Sequence, residues 1–221
     1  MRFFTLITLV LLLGPEAVAA PKGQSSQPKV LMIGDIITRA VSYKTKSALK
    51  NKVHIKTSEF IAMDSGTLLK NIDKLLMGEK WDLIYFNSGF NDIMYKDPSS
   101  KSVRAMHKDV GGVQVTSPEK YAANLKGLIA AFKKNGAKVV WASTTPIYKS
   151  TGALIKGDEV KYNQIAEKIM KSQNIAVINL YDHAKEVNKK IKNPRVFNYN
   201  RSSIHEPVVK MIMRTLNVKK N

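Results

Sequence analysis

Short, almost wholly apolar runs alternate along this chain with longer stretches of helical period, and that alternation is its strongest constraint. The first run, Lys29-Val-Leu-Met-Ile, ends in Gly34-Asp35 and gives way at once to a helical pattern. A run with no polar alternation reads as a strand buried on both faces, which is how strands of a parallel sheet read. Gly34 permits a sharp turn there, and Ile36 takes the position where such a turn lifts a side chain above the sheet edge.

The same reading continues down the chain. A helix is predicted over 40–49 and a short second strand over 53–55. Ser65 or Thr67 is the predicted cap of a helix over 68–77. A third strand runs over 81–87. Ser117-Pro118 opens a long helix whose buried face is marked by Ala122, Leu125, Leu128, Ile129 and Phe132, and Asn135-Gly136 ends it. A fourth strand over 138–142 stops at Thr144-Thr145-Pro146. Then follow a helix over 158–170, a strand over 176–179, a helix over 181–191 and a last helix over 206–216 with Pro207 early. Strands separated by helices imply right-handed crossovers, hence an α/β fold with a five-stranded parallel sheet covered on both faces. Residues 94–115, rich in Lys, Ser and Gly, form the one long loop, leaving the carboxyl end of the third strand where ligands of such sheets sit.

The front of the chain reads as an export signal. Arg2 precedes the apolar stretch 3–13, and Ala17-Val18-Ala19 makes a small-residue cleavage site, so 1–19 is taken as a signal peptide, 20–28 as a flexible leader and 29–221 as one domain. No later stretch is long and apolar enough for a membrane span. Cysteine is absent, which excludes disulfides and thiol chemistry. The expected location is secreted or periplasmic. Formal charge is +19, and since Arg2 and Glu16 cancel, removal of the signal leaves it unchanged. Such a surplus attracts polyanions, although the lysines are spread along the chain as a solvated surface also requires; export makes nucleic acid an unexpected partner.

Functional groups of a parallel sheet gather past the carboxyl ends of its strands. Here these are Gly34-Asp35-Ile36, Asn87-Ser88-Gly89-Phe90-Asn91-Asp92, Thr144-Thr145-Pro146 and the late Ile204-His205. Together with Trp81-Asp82 and Tyr162-Asn163, this ordered series resembles the SGNH (GDSL-type) hydrolases, over a match from about Lys29 to the end. The resemblance implies a three-layer α/β/α sandwich with flavodoxin-like strand order. It also implies esterase chemistry in which a serine attacks an acyl carbon, a late His takes its proton, and an Asp three residues earlier orients that His. An oxyanion would be met by the serine amide, a Gly amide after the second strand and an Asn side chain after the third.

Carried over position by position, the resemblance divides. His205 matches the base, Asn91 the oxyanion Asn, and Gly89 precedes it at the right interval. Ile36 stands where the serine belongs. Ser202 stands where the Asp belongs, and neither Asn198 nor Asn200 has the spacing to replace it. Met63 falls roughly at the oxyanion Gly, with Gly66 as a displaced substitute. Losing the nucleophile alone removes about a millionfold of rate, and each missing oxyanion donor roughly a hundredfold more.

Other readings remain open at this level. Ser88 or Thr38 is a substitute hydroxyl, and His205 is equally read as a capping or core histidine. The histidines His54, His107, His183 and His205 lack the paired spacing of a metal site, and no cofactor is expected. Asp35 and Asp92 suit backbone-bonding roles that outlast catalysis. Trp81, Tyr85, Phe90 and Tyr95 read as core or loop anchors. The sequence thus points to an exported, catalytically degenerate esterase that binds an acylated or acidic carbohydrate through Asn91, His205 and basic side chains of 94–115. The alternatives are an active carbohydrate or acyl esterase with a non-standard nucleophile, and a structural envelope protein with no pocket ligand.

Overall fold

The computed structural model describes residues 27–58, 63–189 and 203–219. The expected signal 1–19, most of the expected leader, and Asn198, Asn200 and Ser202 lie outside the described residues.

Five strands make one parallel sheet: β1 (Lys29–Ile33), β2 (His54–Thr57), β3 (Leu83–Phe86), β6 (Lys138–Ala142) and β7 (Ala176–Ile178). Their order is β2-β1-β3-β6-β7, so the chain first builds outward from β1 to β2, then returns across β1 to β3 and continues away. β1 and β3 are the inner pair at that reversal, with Val30 opposite Leu83 and Ile33 opposite Phe86. Both are buried on both faces, which is why their sequences show no polar alternation.

Helices cover the sheet as α1 (Ile36–Ala48), α2 (Ser65–Lys70), α3 (Ile72–Leu76), α4 (Pro118–Asn135), α5 (Asp158–Ser172), α6 (Leu180–Asn188) and α7 (Glu206–Thr215). α1 packs with α7, while α4 packs with α2, α3 and α5, giving the two outer layers of a three-layer α/β/α sandwich. In the core, Phe86 of β3 meets Phe132 of α4 edge to face, with ring centroids 5.2 Å apart. Burial of side chains of this size contributes about 1.5–3 kcal/mol each.

Local signals set most boundaries. Ser117 accepts from the Lys120 amide at 3.3 Å with Pro118 at the first helical position, and Gly136 ends α4 in the left-handed region at φ 92°. The second block departs from expectation. Neither Ser65 nor Thr67 caps the helix there: Asp64 does, accepting from the Gly66 and Thr67 amides at 2.9 and 3.0 Å, so the helix starts at Ser65. Its run breaks at Asn71, whose side chain bonds back to the Thr67 carbonyl and separates α2 from α3. The expected loop over 94–115 is also structured. It holds β4 (Tyr95–Lys96) antiparallel to β5 (Val113–Gln114), with Lys96 bridging on its other side to Ala105.

Candidate functional site

The site grows from two strand ends built alike. Each has a buried glycine at strongly positive φ, Gly34 at 153° after β1 and Gly89 at 147° after β3. Each has no room for a Cβ. At Gly34 it would collide with the Thr38 hydroxyl and the Asn87 carbonyl oxygen, and at Gly89 with the Thr144 hydroxyl. The glycines let the two turns and the Thr144 segment close on one another.

After β1, Asp35 caps α1, and its Oδ1 accepts from the Ile37 amide at 2.9 Å and more loosely from that of Thr38. The Phe90 backbone amide also faces this carboxylate, joining the two turns. Burial dominates the Asp35 environment and pushes its pKa up to about 6, against the opposing pull of these amides. No ion pair among the described residues offsets it. Ile36 is then the first residue of α1, and its side chain is 37% exposed. At the apex of the turn the molecule therefore presents hydrocarbon to solvent.

The two substitute hydroxyls are both inside. Thr38 is 1% exposed, packed beneath Gly34. Ser88 is fully buried and donates to Asp92 Oδ2 at 3.1 Å. Asp92 is the centre of a polar cluster: its Oδ1 accepts from the Ser65 amide at 2.9 Å and the Ser65 hydroxyl at 2.6 Å, and the Thr116 hydroxyl also bonds it. Asn124 of α4 donates to the Ser65 hydroxyl, and Tyr121 of α4 donates to the Ser88 carbonyl. Burial still holds the Asp92 carboxyl above the usual range. Asp35 and Asp92 both take the backbone-bonding roles read from the sequence.

Asn91 follows Gly89 in the tight turn that the Ile93 amide closes onto the Gly89 carbonyl. It is half-buried, and its Nδ2 faces the Met94 sulfur at 3.9 Å. Sulfur is a weak acceptor that a ligand oxygen readily displaces. Met63 is half-buried against the core, directly before the Asp64 cap. Gly66 cannot stand in as an oxyanion donor, because its amide is committed to Asp64 Oδ1. His205 is half-buried at the entrance to α7, where its carbonyl receives the Val208 and Val209 amides; its side chain makes no capping bond to that helix. His205 thus holds the N-cap position of α7, as the capping reading had it, but through its backbone carbonyl and not its ring. Trp81, Tyr85, Phe90 and Tyr95 are all buried, as anchors rather than a stacking platform.

Several supporting residues carried no assigned role in the sequence. Asn163 clamps Thr144 from both sides, accepting from its amide at 2.8 Å and donating to its carbonyl at 2.9 Å. Its neighbour Tyr162 donates to the Thr116 carbonyl and to Gln114 Oε1, fastening β5 to α5. Buried Glu159 takes the Ile147 and Gly157 amides at 3.2 and 2.8 Å. His183 Nε2 lies 3.1 Å from the Ser203 carbonyl, tying α6 to the segment just before His205. The Tyr162-Asn163 pair was the only sequence signal for this group. No three His, Asp or Glu side chains among the described residues come together as metal ligands would, and no described helix is long and apolar enough to cross a membrane.

No protein-family model matches the sequence, and no curated protein does. Solved structures do match. The chain is similar to a lipase/acylhydrolase from Enterococcus faecalis at 15% identity and TM-score 0.61, covering 88% of this chain and 99% of that one. A catalytic mutant of an acetylxylan esterase from Geobacillus stearothermophilus matches at 17% identity and TM-score 0.62, over 87% and 95% of the two chains. A GDSL-like lipase from Bacteroides thetaiotaomicron matches at 15% identity and TM-score 0.62, over 90% and 92%. At these identities the likeness establishes the fold, and the fold is that of the SGNH-type hydrolases.

Proposed function

We propose that this chain is an exported SGNH-fold protein of esterase descent whose hydrolytic site is silent, and that it binds an acylated or acidic carbohydrate without cleaving it. The observation that carries the reading is Ile36 at the first position of α1, exposed and without a hydroxyl. In an acyl transfer the group at that position must give an electron pair to the carbonyl carbon and a proton to a base. A sec-butyl side chain gives neither. The nearest alternatives by sequence, Thr38 and Ser88, are buried, and Ser88 is held by Asp92. A buried hydroxyl has no path to an ester on a polymer, so a substitute nucleophile is disfavoured on access alone.

The rest of the site supports binding. The Asn91 amide faces only a weak acceptor, His205 is half-buried, and the neighbouring 94–115 segment carries exposed cations. Acylated sugar is the favoured ligand class because the fold neighbours include an acetylxylan esterase; acidic sugar is supported by the formal charge of +19.

The test is an aryl acetate assay with a fluorophosphonate probe, alongside binding of acetylated and deacetylated xylan oligosaccharides. Turnover at the buffer rate, no labelling, and binding that weakens on deacetylation are expected. Stoichiometric labelling of any Ser or Thr overturns the reading in favour of an active esterase with a non-standard nucleophile.

A further inference from the structure

The helix that begins at Ile36 carries an exposed stripe away from the candidate site. At roughly 100° per residue, Ile36, Arg39, Tyr43 and Lys46 of α1 fall within roughly an 80° arc. All four are exposed, while Ile37, Thr38, Val41, Ser42 and Thr45 on the other side of the helix are buried, so the four share one outer face. Tyr43 is near its centre and 79% exposed, with Arg39 one turn before it and Lys46 one turn after. At 1.5 Å of rise per residue the ring lies roughly 10 Å along the helix from Ile36.

The charge around this ring has one sign. α1 contains no acidic residue, and its cap Asp35 is buried beneath the turn. Of the elements packed against α1, β1 and β2 supply Lys29 and Lys56, both held by Glu79. The third, α7, lies in the same outer layer and exposes Glu206, Lys210 and Arg214 at intervals of one turn. The layer thus sets Arg39, Lys46, Lys210 and Arg214 against the single exposed acid Glu206. Among the described residues the ion pairs are made by Lys29, Lys56 and Lys189, which leaves Arg39 and Lys46 to the solvent.

We propose that the outer face of α1 is a binding subsite for a chain of acidic sugar, one ring stacking on Tyr43 while its neighbours' carboxylates or sulfates meet Arg39 and Lys46. A sugar ring offers apolar C–H edges to an aromatic face and carries its charge on the rim, and a tyrosine with a cation a turn away on each side matches both. The stripe starts at Ile36, so a polymer lying on it reaches the candidate site. The inference rests on the carbohydrate reading above and not on the site being silent. Other anionic partners fit the face less well. A helix that enters a lipid interface needs a broad apolar face, and that of α1 is spent in the core. Single-stranded nucleic acid is held by successive stacked bases, where α1 gives one ring. A protein partner needs an area of about 800 Å² with a charge-depleted centre, where this face puts cations within a turn of its ring.

Calorimetric titration of the full chain at one ionic strength with oligogalacturonate, acetylated xylan oligosaccharide, poly-L-glutamate and oligo-dT tests it. Oligogalacturonate should bind more tightly than poly-L-glutamate or oligo-dT. Tyr43→Ala leaves net charge unchanged and should weaken oligogalacturonate binding about threefold or more, with Tyr43→Trp restoring it. Arg39→Gln with Lys46→Gln should weaken it about tenfold. Lys126→Gln with Lys134→Gln, the same charge removed from exposed positions of α4, should change it less than about twofold. Thermal melts of all these surface variants should match the native chain. Equal losses from the two double variants, or native binding by Tyr43→Ala, overturn the subsite, and acetylated xylan that still binds then leaves the acetylated-sugar reading standing. Poly-L-glutamate bound as tightly as oligogalacturonate points to an acidic protein instead, and tighter oligo-dT binding to a nucleic acid; either overturns the proposal. Oligogalacturonate bound through Tyr43 with no binding of acetylated xylan supports the subsite and removes the acetylated-sugar reading, and binding of neither glycan overturns both.

Discussion

The turn after β1 and the turn after β3 begin from the same device, a buried glycine at φ near 150° followed by a buried aspartate, and end in opposite states. At the β3 turn the buried carboxylate is fully engaged. Asp92 receives Ser65 twice, Ser88 and Thr116, and α4 reaches in with Asn124 and Tyr121. At the β1 turn the carboxylate still caps its helix, yet the side chain above it is Ile36. A group that holds two elements together stays necessary whether or not an ester is ever cleaved. A group used only for chemistry contributes nothing to folding once the chemistry stops. The two turns thus separate what the fold needs from what catalysis would need.

If the β1 turn is still a structural joint, it must resist change wherever packing is involved. Gly34→Ala should destabilise by about 4 kcal/mol, combining a strained φ with overpacking against a backbone carbonyl that cannot move aside. Gly89→Ala should be milder, about 2 kcal/mol, because the Thr144 hydroxyl it meets can rotate. Urea midpoints decide the order; a larger effect at Gly89 would mean that the β3 turn is the tighter joint. Between the two falls Asp92→Ala, which strands the Ser65 amide and the Ser65 and Ser88 hydroxyls in the interior and should lose about 3 kcal/mol. A loss below about 1 kcal/mol would show that water replaces the carboxylate there.

The pH dependence sharpens the same comparison. Burial raises the folded-state value for Asp35 from 3.8 to about 6, so the protonated carboxyl favours the folded chain. Its contribution is fully present below pH of about 4 and is lost as pH rises through about 6, by roughly 2–3 kcal/mol. Asp92 is shifted in the same direction and adds to the same trend. Asp35→Asn keeps an oxygen for the α1 cap and cannot ionise, so the fall in stability between pH 4 and 7 in thermal melts should become shallower, with the Asp92 part remaining. A native chain equally stable at both ends of that window would mean that Asp35 is solvated or paired.

The architecture was legible because β1, β3 and β6 are unbroken apolar runs, and Ser117-Pro118 with Gly136 bounds α4 by local chemistry alone. Gly34, Asp35, Gly89 and Asp92 were legible as turn and cap residues for the same reason. The second block was harder: Asp64 outcompeted Ser65 as cap because Ser65 was already bonded to Asp92, a partner distant in sequence. The ladder of 94–115 was hidden because its strands are two residues long, with their inward face set by Gln114 and Tyr162 rather than by an apolar period. Asn163, Glu159 and His183 act through backbone groups of other elements, and no sequence pattern encodes that.

The smallest effect probes the comparison most directly. Ile36→Ser should change stability by less than about 0.5 kcal/mol, since the position is 37% exposed and Ile and Ser have similar helix propensities. Ester hydrolysis by this variant should stay near the buffer rate, because a hydroxyl alone restores neither a carboxylate at position 202 nor a glycine at position 63. A loss above about 1.5 kcal/mol would make Ile36 a packing residue kept for the fold, and the contrast between the turns would collapse. Robust hydrolysis with unchanged stability would do the reverse: the oxyanion donors and His205 would be standing in working order around one missing atom.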